Sequence, residues 1–324
     1  MPSISSIQTL RLALVAIAIS FASTLCRAQQ TGFAGVQMLT NRETRLQLSS
    51  TSRYRIDYST DLTNWGSWLS AERTAVTQTD SGAIYSSNRF YLIREYPATD
   101  AITGDHFTTD DGEVIVRPVN HASFVMQWKE IMIYNDPVGA NSRYTAFRKA
   151  DLILISHTHQ DHFSATTLGF VRATNGIIVA PQAVYNQLSA TLRAITVVLT
   201  DGASTNLLGG IHVEAVPAYN GNHPRGAGNG YVVTIGGQRF YMAGDTGDTP
   251  EMRALQDIDV AFLCMNVPFT MTVNAAASAA RDFRPRVLYP YHYQNQDNSF
   301  ANLIELKRLI GTDLGIEVRT RAWY

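Results

Sequence analysis

The 324-residue chain has only two cysteines, charges at 16% of its positions, no Asp or Glu ahead of Glu43, and no apolar run long enough for a comfortable membrane span. The missing acids go with a pattern: Arg11, then the apolar stretch Leu12 to Leu25, then Cys26-Arg27-Ala28. A charged start, a short apolar core and a small-residue end are the parts of a secretory signal. Residues 1–28 are therefore expected to be a signal peptide, the protein to be exported to the periplasm or beyond, and no integral membrane segment to remain. A lipid anchor on Cys26 is the competing reading, but Ser23-Thr24-Leu25 lacks the small residue expected just before a lipidated cysteine. Loss of residues 1–28 removes two arginines and no acids, leaving 24 basic against 27 acidic residues, a formal charge of −3. With no basic stripe, that balance argues against a nucleic-acid partner. Cys264 is then alone, which excludes an intrachain disulfide; within the apolar run Val260 to Met265 it reads as a core thiol.

What is present divides at a polar stretch beginning at Pro97. Residues 29–97 carry short alternating segments, such as Tyr54-Arg-Ile-Asp-Tyr58 and Arg89-Phe-Tyr-Leu-Ile93, between Ser/Thr/Asn/Gly-rich turns, the pattern of a small all-β sandwich. The stretch Tyr54 to Trp65, with Arg89-Phe-Tyr91, resembles β-sandwich modules appended to secreted bacterial proteins. Trp65 and Trp68 there are candidates for a binding platform or for core. Residues 98–324 alternate short strand-like runs with helical stretches, which predicts a layered α/β domain.

Within that second region, His157-Thr158-His159-Gln160-Asp161-His162 follows the apolar run Leu152 to Ile155. Neutral imidazole and carboxylate suit a divalent ion such as zinc, with manganese or iron also possible. In an extended segment leaving a strand, positions i and i+2 point the same way, so His157 and His159 can grip one ion. Asp161 and His162 lie further round the turn, able to reach a second ion or to hold a water. Three more strand-like runs end in polar residues: Val216-Pro-Ala-Tyr-Asn220 with His223 and Arg225, Ala243-Gly-Asp245-Thr246, and Pro290-Tyr-His292.

This ordered set, His157-x-His159-x-Asp161-His162, Gly244-Asp245-Thr246 and Pro290-Tyr-His292, resembles the metallo-β-lactamase superfamily. With Val216 to Asn220 it is most similar to the branch that includes ascorbate-6-phosphate lactonase and the phospholipase that hydrolyses N-acylphosphatidylethanolamine. The resemblance implies a four-layer αβ/βα sandwich with one or two zinc ions at one edge. His157 and His159 would belong to the first ion, Asp161 and His162 to the second, Asp245 would bridge, and His292 would complete the second. Where many members have a third first-site histidine this chain has Asn220. Asn220 or His223 is then the replacement ligand, or a water fills the position.

The expected activity is hydrolysis, by metal-activated water, of an ester, lactone or phosphodiester bond in a small-molecule or lipid-like substrate, with Asp161 orienting the water and relaying its proton. Tyr219, His223 and Arg225 are expected on the loop over the metals, where they would bind an anionic group. The alternative is an inactive metal- or ligand-binding module of the same fold; a closed structural site would have no use for Asp161. His121 and Asp136 are read as supporting residues, and His106 and His212 as structural.

Overall fold

A computed structural model describes residues 31–50, 52–97 and 101–324; the signal sequence expected at 1–28 lies outside them. The chain separates into two compact units between Pro97 and Ala98.

The first unit has strands β1 (Gly32–Met38), β2 (Thr44–Ser49), β3 (Tyr54–Ser59), β4 (Gly66–Ala71), β5 (Thr77–Asp80) and β6 (Phe90–Glu95). They form two three-stranded antiparallel arrays, β1-β2-β5 and β4-β3-β6. Alternate side chains, Leu46 and Leu48 from one array and Tyr54, Ile56, Trp68 and Tyr91 from the other, make its core. Trp68 is thus a core residue. Trp65 is exposed, its Nε1 donating to the Leu62 carbonyl. Among the described residues this unit holds no cluster of metal-ligating side chains.

The second unit contains β7 (Asp105–Thr109), β8 (Gly112–Asn120), β9 (Ser123–Trp128), β10 (Ile131–Asn135), β11 (Ala150–Leu154), β12 (Arg172–Ala180) and β13 (Thr196–Val198), hydrogen-bonded in the order β13-β12-β11-β10-β9-β8-β7. A second sheet runs in simple chain order: β14 (Ser204–Asn206), β15 (His212–Ala218), β16 (Gly228–Ile235), β17 (Gln238–Met242), β18 (Val260–Cys264), β19 (Val287–Tyr291) and β20 (Glu317–Val318). Strands β10 to β13 are parallel, as are β17 to β20.

The buried runs split by period two, as a sheet covered on both faces requires. Leu152 and Leu154 face the other sheet, whereas Ile153 and Ile155 pack with Leu168, Val184 and Leu192 of α1 (Ala165–Val171), α2 (Gln182–Gln187) and α3 (Ala190–Arg193). Between the sheets, Phe124 stacks on Phe262 at 4.2 Å and Phe262 on Tyr289 at 5.0 Å. On the outer face Tyr241 meets Phe283 edge-on at 6.0 Å. Phe283 belongs to α5 (Val273–Phe283), which with α4 (Pro250–Arg253) and α6 (Leu303–Ile310) covers the second sheet. Helix α5 starts where Thr272 accepts from the Ala275 amide, buries an alanine face, and stops at Arg284 in left-handed conformation. The result is helix, sheet, sheet, helix, the four layers expected. Cys264 is fully buried, and burial pushes its thiol up to about 12, so it is inert packing.

Candidate metal centre

In parallel strands the chemistry gathers at carboxyl ends. His157 lies just past β11, Asp136 past β10, Asp245 past β17 and His292 past β19; Asn220 and His223 lie past β15, which is antiparallel to its neighbours but runs in the same direction as β17. The turn to Asp245 requires Gly244. Its φ is +63°, and a Cβ there would meet the Asn229 carbonyl at 2.8 Å.

Two sets of donors converge. In the first, His157 Nε2 lies 3.0 Å from His159 Nδ1, His223 Nε2 lies 3.2 Å from the same atom, and Asp245 Oδ2 is 3.6 Å from His223 and 4.0 Å from His157. In the second, Asp245 Oδ1 is 3.2 Å from His162 Nε2 and 3.4 Å from His292 Nε2, and Asp161 Oδ2 is 3.4 Å from His292 and 3.8 Å from His162. Ligands at ordinary zinc distances on a tetrahedron stand about 3.3–3.5 Å apart, the middle of both ranges. Asp245 gives one oxygen to each set.

Do these residues fit metal ions? Asp136, buried and with φ at +41°, accepts from the Ser156 amide (2.7 Å), the Ser156 hydroxyl (2.7 Å) and His162 Nδ1 (2.8 Å). Asp136 therefore fixes a proton on His162 Nδ1, and Nε2, 3.2 Å from Asp245 Oδ1, is left to hold either a second proton or a metal ion. With its own proton on Asp136, Ser156 Oγ accepts from His157 Nδ1 at 3.0 Å, and Asn220 Oδ1 accepts from His223 Nδ1 at 3.0 Å. Both rings thus turn an Nε2 lone pair toward His159 Nδ1, whose single proton can satisfy only one. Buried His162 Nε2, Asp245 Oδ1 and both His292 nitrogens have no hydrogen-bond partner. Acceptors crowded on acceptors are costly unless a cation lies among them. The donor set fits, and its nitrogen-and-oxygen chemistry is that of a borderline divalent ion.

Electrostatics agree. Burial, reinforced by the neighbouring His162 charge, holds His157 well below the ordinary imidazole pKa, so it is neutral and ready to ligate. Burial also lowers His223. Burial would raise Asp245, but His292 and His162 outweigh it and keep the carboxylate ionised; at Asp161 the neighbouring His121 and His292 rings do the same.

The structure places His157, His159 and His223 with Asp245, and His162 and His292 with the other oxygen of Asp245; Asp161 joins these last two through its contacts with their rings. Asn220 is in neither set. Its Oδ1 also accepts from the amides of Asn222 (2.7 Å) and His223 (3.0 Å), and its Nδ2 donates to the Phe269 carbonyl, so it shapes the turn that delivers His223. Asn220→Ala should accordingly weaken ion binding at the first set by about 10–100-fold, as loss of a ligand's hydrogen-bond support does, with the second set retained; stepwise titration with zinc checks this.

The loop expected to overhang the metals delivers only His223 to a donor set. Arg225 is held by Glu251 (2.6 Å) and Asp201 (3.3 Å), and Tyr219 donates to Glu251 (3.0 Å) beneath the Arg225 guanidinium. Both groups are thus paired with nearby carboxylates on an exposed loop. His121, φ +56°, comes closer than a supporting role implied. Its Nε2 is 3.3 Å from Asp161 Oδ2 and its ring 3.9 Å from that of His292, forming a third candidate group with those two. The signal was weak, a lone histidine ahead of a strand. His106 and His212 pair with Glu113 and Asn206, away from these groups.

Comparison with known proteins agrees with this geometry. Residues 116–292 match the family model of the beta-lactamase superfamily domain. A metal-dependent hydrolase of Thermococcus onnurineus is 32% identical over 211 residues, 61% of this chain and 92% of that protein. The crystal structure of a protein described as a metal-dependent hydrolase from Parabacteroides distasonis superposes with a TM-score of 0.61 at 40% identity, covering 68% of this chain and 99% of its own. At 24% identity, the metallo hydrolase Igni18 from Ignicoccus hospitalis shares the fold with a TM-score of 0.56, over 64% of this chain and 94% of its own. The chain belongs to the β-lactamase superfamily and is a metal-dependent hydrolase.

Proposed function

We propose that this hydrolase cleaves an ester, lactone or phosphodiester bond in a small molecule and that it holds two zinc ions, one in each donor set. The single observation that carries the reading is Asp245, buried and ionised, with one oxygen turned to each set. The ions, when bound, supply Lewis acidity toward water and toward the oxygen of the scissile group.

The chain's own residues do the rest. Asp161 is the exception among the clustered carboxylates: its side chain is 45% exposed where that of Asp245 is 4% exposed. An ionised carboxylate open to solvent can hold a water through the oxygen that faces no histidine and take its proton, and Asp161 Oδ1 is the atom we assign to this. His121 and His292, both within 3.4 Å of the other oxygen, Oδ2, orient the carboxylate. Ser156 and Asp136 hold the rings of His157 and His162 so that neither has to reorganise during turnover.

Export is part of the proposal, and its support is the pattern Arg11, Leu12 to Leu25 and Ala28. Among the described residues no helix is long and apolar enough to cross a membrane.

The test is a panel of ester, lactone and phosphodiester substrates with the zinc-loaded protein before and after chelation. Turnover on at least one class, lost with chelator and restored by zinc, is expected. A fully loaded protein inert on all three classes would sink the reading.

A further inference from the structure

The large hydrophobic side chains that the second unit exposes, among the described residues, all lie between 267 and 324: Val267, Phe269, Phe300, Ile304 and Tyr324. Such residues scattered singly need no explanation. Two of these are not scattered. Phe300 and Tyr324, 52% and 42% exposed, lie 5.1 Å apart between ring centroids, and Tyr293 contacts both at 5.8 and 5.1 Å. Tyr324 in turn stands edge-on to His121 at 5.5 Å. The chain of contacts Phe300, Tyr324, His121 ends on Asp161 Oδ2 and the His292 ring.

This aromatic wall is built rather than loose. The Tyr324 hydroxyl accepts from the amides of Tyr293 (3.0 Å) and Gln294 (3.1 Å). The hairpin carrying Phe300 closes through Asn295 N to Ser299 O (2.8 Å), Ala301 N to Tyr293 O (2.9 Å) and a bridge between Gln294 and Phe300. The same hairpin is tied to the 266–270 loop through Asn295 Oδ1, which accepts from Val267 N, and Gln296 N, which donates to Val267 O. Holding aromatic rings half in water at a fixed position costs hydrophobic free energy, which burial against a ligand would recover.

We propose that Phe300, Tyr324 and Tyr293 bind an uncharged apolar group of the substrate, aryl or alkyl, next to Asp161. This rests on the hydrolase reading above and narrows it. Charge selects a neutral group. The hairpin's one ionisable side chain outside the wall is Asp297, whose carboxylate is engaged by Ser299, and Arg225 is taken by Glu251 and Asp201. Size argues against a second copy of the chain as the occupant. A stable interface takes about 800 Å² per partner, and three rings of roughly 150–250 Å² each fall short of that even if fully exposed.

The probes are acetohydroxamate and phenylacetohydroxamate, which share a metal-chelating head and differ by one phenyl ring, titrated calorimetrically into the zinc-loaded full chain. We expect phenylacetohydroxamate to bind at least tenfold more tightly to the wild type, and the advantage to fall below threefold in Phe300→Ala with acetohydroxamate affinity the same in both. Equal affinities in the wild type, or an undiminished advantage in Phe300→Ala, would overturn the proposal. So would a wild-type dimer at the titration concentration that Phe300→Ala converts to monomer. The two readings fail separately. A ring preference without turnover on the substrate panel removes the hydrolytic assignment and keeps the wall, whereas turnover without ring preference removes only the wall.

Discussion

Asp245→Asn is expected to lower turnover by about 10³-fold or more and to reduce zinc content at both donor sets together. The substitution keeps the side-chain volume but replaces one carboxylate oxygen with an amide nitrogen that has no lone pair for an ion, and it removes the negative charge that both sets share. The loss of a single preorganised group at a reacting centre costs on the order of 10²–10³-fold, and here one change strikes both sets. His157→Ala, by contrast, touches only the first set. The comparison is read by elemental analysis of the two purified variants beside the wild type. If Asp245→Asn retains a full complement, Asp245 is not shared.

The second large effect is on stability and depends on pH. Burial disfavours charge on His162, yet Asp245 and Asp136 outweigh it and raise its pKa well above the ordinary imidazole value. In the ion-free protein the stabilisation from that proton is complete below about pH 6.5, the unfolded value, and is lost as pH rises through the folded value. Asp161 and Asp245 are shifted downward, so their contribution is present above about pH 4 and constant through the neutral and alkaline range. A bound ion takes the place of the His162 proton, and its hold strengthens as competing protons leave. The gap in melting temperature between zinc-loaded and ion-free protein should therefore widen from pH 6 to pH 9, to about 10 °C at a thousandfold excess of zinc over its dissociation constant. Thermal scans across that range check the sign; a narrowing gap would contradict it.

The parts of this account that were legible in the sequence are those set by local pattern. His157 to His162 follow a buried run that had to be a strand, and the endings at Asp245 and His292 belong to two more. Parallel strands fed in one direction bring their carboxyl ends to the same edge, so these residues meet because the sheets form. The four layers follow similarly from runs such as Leu152 to Ile155, which are apolar on both alternating faces. What was not legible depends on loop paths and on contacts between distant segments. His223 rather than Asn220 enters the first set because Asn220 folds the turn back on itself and anchors to the Phe269 carbonyl, 49 residues away. The pairing of Arg225 with Glu251, 26 positions on, carries no signal in the sequence either. The aromatic wall joins Tyr293, Phe300 and Tyr324 through a hairpin and a terminal segment with no shared periodicity. Asp136 stood in view in Tyr134-Asn-Asp-Pro137, but that it sets the proton on His162 is visible only in the three bonds it accepts.

The central claim is that two ions share Asp245. Anomalous diffraction from crystals of the zinc-loaded protein, recorded at the zinc absorption edge, tests it most directly. The account predicts two peaks per chain, one among His157, His159, His223 and Asp245 and the other among Asp161, His162, Asp245 and His292. A single peak away from Asp245, or density in which Asn220 rather than His223 meets the first ion, would contradict it.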